Sequence, residues 1–146
     1  MEARLVHSDG EQRTFVLVFA AGDEVVSELT AFARRVELTG SGFTALGAFS
    51  EAVVAYFDWE TKEYVRTPVK EQVEVLALVG DIAVAADGPK VHAHCVLGRR
   101  DTSTRGGHLM EARVRPTLEV TLVESPAHLR RVPDARSGLA LIDPGA

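Results

Sequence analysis

Three of the five histidines and the only cysteine fall in one short stretch, Gly88 to Leu109. It reads Gly88-Pro89-Lys90-Val91-His92-Ala93-His94-Cys95-Val96-Leu97-Gly98, then Arg99 to Arg105, then Gly106-Gly107-His108-Leu109. A His-x-His pair offers two imidazole nitrogens, which suit Zn, Cu, Fe and Ni. It needs both side chains on one face, and a strand supplies that because its side chains alternate. Val91 to Leu97 is predicted to be a strand, bounded by Gly-Pro before and Gly98 after. His92 and His94 then share a face, while Val91, Ala93 and Cys95 take the other. Gly106-Gly107 could fold His108 back toward the pair. The same pattern also suits two solvent-facing histidines, so the spacing leaves both readings open.

Other chemistry is harder to place. Glu119 or Glu111 could serve a bound ion as polar partner or general base, but no spacing ties either to the histidines. Arg99, Arg100 and Arg105 form a basic loop, a candidate DNA or anion contact, since arginine suits phosphate. Cys95 neighbours His94 in sequence but points to the opposite strand face, so the two cannot act as a nucleophile and base. It reads as a core residue. Ser103 and Ser125 have no nucleophile-elbow context. Gly40-Ser41-Gly42 lacks the third glycine of a dinucleotide loop.

The motifs resemble the plants-and-prokaryotes conserved (PPC) domain. The resemblance rests on Gly88-Pro89-Lys90-Val91-His92-Ala93-His94, Leu97, the polar loop, and Gly106-Gly107-His108-Leu109. The run Thr117 to Val123 with Glu119, and Gly42 to Ala48 upstream, are similar to further family segments. It covers roughly residues 14 to 125. It implies a curved sheet with one long helix packed on it, and a homotrimer. Plant members bind DNA through AT-hooks, in which arginines flank Gly-Arg-Pro. This chain has no such stretch, and Asp101 follows Arg99-Arg100.

The elements that must position these residues follow from pattern. Thr14 to Ala20 is predicted to be a buried strand. Gly22-Asp23-Glu24 opens a helix, and Val25, Leu29, Phe32, Ala33 and Val36 give it one apolar face, with Gly40 as its stop. Phe43 to Phe57 is two strands, or one bent at Gly47. Tyr64–Thr67, Gln72–Leu78, Asp81–Ala86, His108–Arg115 and Thr117–Glu124 follow, and His128–Val132 makes a last edge. The expected class is α+β: a curved, largely antiparallel sheet with one long amphipathic helix, residues 1–146 as a single domain.

Composition bounds the function. Apolar residues make up 46% and charged residues 25%, as in ordinary globular proteins. No apolar run is long enough for a membrane helix, and the N-terminus lacks a signal-peptide pattern. The expected setting is the cytoplasm. Net charge is −5, which disfavours a protein that coats nucleic acid. Residues 1–89 carry net −8 and residues 90–136 net +4. The favoured reading is a non-enzymatic, metal-binding oligomer with a regulatory or ligand-sensing role. It would hold a divalent transition metal, zinc first, on His92, His94 and His108. One alternative is a DNA-binding regulator. Another is a metal-dependent hydrolase or lyase using the three histidines.

Overall fold

A computed structural model describes residues 1–125 and 129–145. Among them are nine strands and one helix. Strands β1 (Glu2–Asp9) and β2 (Gln12–Ala20) form a hairpin. Helix α1 (Val25–Arg35) follows, then β3 (Gly40–Asp58), β4 (Glu63–Val69), β5 (Val73–Ala85), β6 (Gly88–Gly98) and β7 (Thr104–Glu124). A short hairpin, β8 (Arg130–Pro133) and β9 (Ala140–Asp143), ends the chain. The edge strand expected over His128–Val132 corresponds to β8, and His128 itself lies outside the described residues.

The expected α+β class with a long helix is corrected: the protein is mostly β. The helix has 11 residues, about 16 Å. Its start is fixed by Glu24, whose carboxylate accepts from Val26 N–H at 3.3 Å and Ser27 N–H at 2.7 Å. Val25, Leu29, Phe32 and Ala33 are buried, as their spacing predicts. The helix stops earlier than Gly40. Glu37 takes a left-handed φ of 53°, and Leu38 N–H returns to Ala33 carbonyl. Gly40 instead opens β3, where a Cβ would lie 2.8 Å from Leu129 Cγ.

For Phe43–Phe57 the single bent strand is what forms, and long strands replace the expected short pairs at β5 and β7. β3 runs unbroken for 19 residues, β5 for 13 and β7 for 21. β3 bends at Gly47, where its register against β5 and β7 shifts. A Cβ on Gly47 would meet Thr117 O at 2.3 Å, so the crossing strands touch only because no side chain stands there. β3 pairs with β5, β5 with β6, β6 with β7, and β7 again with β3, so the four strands close a ring. All four pairings are antiparallel. The inner face is the core: Phe19, Phe49, Leu78, Leu97, Leu118 and Leu122 are essentially inaccessible. Helix α1 caps this core, and Phe15 meets Phe32 edge to face at 5.2 Å.

Candidate metal centre

Alternation along β6 buries Ala93 and Cys95 and turns His92 and His94 outward. Burial raises the Cys95 thiol to about 11, so it stays protonated and plays no part in the site. On β7 the partner of His94 is His108. Directly opposed residues of an antiparallel pair share a face, so register alone brings the third imidazole to the other two. The glycines do not fold His108 back, as the spacing suggested. They lie within β7, and the hairpin turns instead at Arg99–Ser103. Their role is close approach. A Cβ on Gly106 would lie 2.8 Å from Cys95 O, and one on Gly107 2.6 Å from Ala55 O. β7 can sit between β6 and β3 only with both positions bare.

The ring centroids of His92, His94 and His108 stand 5.1–5.5 Å apart. One nitrogen from each can be chosen so that all lie within 4.8 Å of one another. Nitrogens on a tetrahedral zinc at 2.0–2.1 Å are about 3.4 Å apart, so small ring rotations would close the set.

The electrostatics favour neutral rings at His94 and His108. Burial, followed by the neighbouring His92, His94 and Arg131, lowers the His108 pKa to about 4. Burial and then His92 lower that of His94. Neutral imidazole is the ligating form. His108 Nδ1 is buried with no hydrogen-bond partner among the described residues. A buried imidazole nitrogen without a partner, next to two other imidazoles, is a group that a metal ion could satisfy.

Two neighbours escaped the sequence reading. Asp81, on β5 opposite His92, places Oδ2 3.4 Å from His92 Nδ1. Burial raises its carboxyl pKa, but contacts with His92 and Arg131 outweigh that and hold it below the usual range. Tyr64 packs its ring 4.8 Å from that of His108. A lone Asp within the apolar run of β5 was the only signal for Asp81, and it becomes meaningful once the β5–β6 register is known.

The other candidates lie elsewhere. Glu119 sits on the exposed face between Val18 of β2 and Leu46 of β3. The adjacent row runs Thr121, Thr44, Val79, His94, so β7 there is three strand spacings from His94, about 14 Å along the sheet. Glu111 is engaged by Arg66 at 3.2 Å and lines a cleft of about 190 Å³ with Glu24, Glu51, Lys70 and Arg113, with no histidine in its lining. Arg99 is paired with Glu71 at 2.7 Å, while Arg100 and Arg105 are exposed.

The chain belongs to the Plants and Prokaryotes Conserved (PCC) domain family, whose profile matches residues 6–126. It is similar to a plant- and prokaryote-conserved (PPC) protein from Pyrococcus horikoshii, at 30% identity and TM-score 0.85 over 90% of this chain and 91% of that one. A metal-containing protein from Archaeoglobus fulgidus is also 30% identical, with TM-score 0.83 over 97% and 96% of the two chains. A candidate DNA-binding protein from Ralstonia eutropha JMP134 is 26% identical, with TM-score 0.83 over 88% and 90%. No curated protein matches the chain.

Proposed function

We propose that this PCC-domain protein is a cytoplasmic, non-enzymatic oligomer that binds a divalent metal, zinc first, and serves a regulatory or ligand-sensing role. His92, His94 and His108 would hold the ion. The observation that carries the reading is the orphaned, buried Nδ1 of His108 beside two further imidazoles on one face. The metal-containing archaeal relative supports it. Bound by three imidazoles, zinc would keep a fourth position for a ligand atom and polarise it there. The protein's own groups orient the rings: Asp81 faces His92 Nδ1, which leaves Nε2 for the ion. No carboxylate among Glu111 and Glu119 is placed to take a proton at that position, which favours binding over catalysis.

Self-assembly as a trimer fits the outer sheet face. Val18, Leu46, Leu76, Val79 and Val96 are each more than 40% exposed there. Exposed apolar side chains on one sheet face, here interrupted by Glu119 between Val18 and Leu46, are what subunit contacts cover. The test is metal analysis of untagged protein after zinc loading, with light scattering on the same sample. Stoichiometric zinc and a trimer are expected. Metal-free protein under zinc-replete conditions would overturn the metal reading, and a monomer the oligomer.

DNA binding is the second reading, favoured by relatives described as candidate DNA-binding proteins. Pairing of Arg99 with Glu71 and the negative net charge weigh against it.

A further inference from the structure

The C-terminal hairpin β8–β9 reaches the histidine cluster through one chain of polar contacts. Asp81 has a separate partner on each oxygen. Oδ2 faces His92 Nδ1 at 3.4 Å, and Oδ1 accepts from Arg131 Nη2 at 2.5 Å. Arg131 belongs to β8, and its Nη1 donates to the Ala140 carbonyl of β9 at 3.1 Å. The Arg131 side chain is only 8% exposed, and its Nε has no partner among the described residues. A nearly buried guanidinium therefore has Asp81 as its counter-charge. Just before β8, Leu129 donates its N–H to the Thr39 carbonyl at 3.3 Å and packs over Gly40. β8 meets β5 at the single pair Val84–Arg130, next to a hydrogen bond from Val84 N–H to Leu129 carbonyl. Every residue of β9 is exposed.

We propose that Asp81 is a positioning residue for His92 and that, through Arg131, docking of the β8–β9 hairpin is coupled to metal occupancy of the histidine cluster. The inference rests on the metal reading above. A carboxylate on the second nitrogen of a ligating imidazole fixes its tautomer and ring orientation. An ion on Nε2 withdraws electron density and makes Nδ1–H a stronger donor, so Asp81 is held more firmly. Asp81 held in that place is the anchor that Arg131 needs, because a buried charge that loses its partner is strongly destabilising. Arg131 itself repels a cation, but the carboxylate stands between the two. Coupling of this kind is reciprocal: if the ion favours the docked hairpin, the docked hairpin raises affinity for the ion by the same factor.

The experiment uses the full untagged chain, zinc with a competing chromophoric chelator, and hydrogen–deuterium exchange over residues 130–143. In the wild-type protein zinc slows exchange of these amides. Asp81→Asn, which keeps the shape and removes the charge, weakens zinc about 10–100-fold and abolishes the zinc-dependent slowing. Arg131→Gln leaves the ligands in place and weakens zinc by a smaller factor. The wild-type exchange comparison needs no variant, so it stands even if a variant folds poorly. Wild type that takes up zinc with unchanged exchange over 130–143 overturns the coupling. Asp81→Asn that folds and binds zinc as tightly as wild type overturns the positioning role. Wild type that takes up no zinc overturns the metal reading and this inference with it, before any variant is compared.

Discussion

One strand pair, β6–β7, carries histidines at the far end of its ladder and arginines at its turn, and the two regions are built on opposite terms. The histidines are fixed by register between bare glycines, and one of them keeps a buried nitrogen without a partner. The turn satisfies itself. Arg99 is paired with Glu71, and Asp101 accepts from Ser103 N–H at 3.0 Å and Ser103 O–H at 2.6 Å. A group already matched within the fold asks for no ligand. A buried imidazole nitrogen without a partner, beside two further imidazoles, is one that an ion could satisfy. Both drew attention in the sequence for their residue types, and the difference lies in what those residues touch.

The contrast is tested most severely at the histidines. Replacing any of His92, His94 or His108 by Ala should weaken zinc by more than about 100-fold, since changes to outer partners alone cost 10–100-fold. Chelator competition measures this, and a variant retaining wild-type affinity would remove that residue from the site. The zinc-dependent rise in thermal midpoint should vanish in the same variants, because ligand stabilisation follows occupancy.

Gly107→Ala comes next. Its Cβ would press on the Ala55 carbonyl, and overpacking of this kind costs about 1–3 kcal/mol. Urea denaturation should show that loss, with zinc affinity falling because His108 moves. Unchanged stability would mean that β7 has room the close approach denies.

Protons should divide the regions as well. The folded-state pKa of His108 is about 4, below the unfolded value of about 6.5. The unfolded chain therefore binds more protons between those values, and stability falls as pH drops through that window. His94 shifts in the same direction. Urea midpoints of metal-free protein at about pH 7.5 and 4.5 should differ, and by less in His108→Gln. An equal drop in that variant would assign the loss to other groups.

The turn gives the smallest effect. Arg99→Ala/Arg100→Ala/Arg105→Ala should change stability by no more than about 0.5 kcal/mol, as exposed substitutions do. Duplex DNA should bind no tighter than micromolar at about 150 mM salt with or without the arginines. Nanomolar binding lost in the triple variant would reverse the contrast and make the turn the functional end.

The sharing of one face by His92 and His94 was legible because it depends only on alternation along a strand. The approach of His108 was legible as a motif but not as geometry: it comes from the β6–β7 register, and the glycines serve that contact rather than a turn. Asp81 and Arg131 were out of reach, since each earns its role through a partner distant in sequence. The helix face was readable from its period and its end was not. Glu37 turns the chain in a conformation that no neighbouring residue signals. Gly47 was legible as a break or a bend, and the bend within one strand is what forms; Gly80 likewise sits inside the continuous β5, and at both positions a neighbour's atoms fill the side-chain space.

The closed ring of β3, β5, β6 and β7 also sets an order of events. The β3–β5 and β5–β6 pairings join neighbours along the chain or nearly so, whereas β3–β7 joins Ser41 to Glu124. Contacts between distant parts of a chain form slowly, because the entropy of closing the loop precedes any gain from pairing. The three histidines lie on β6 and β7, a hairpin of adjacent strands in which His94 opposes His108, so they meet early, before β7 closes the ring against β3. Zinc capture during refolding would then report an early hairpin rather than the final closure.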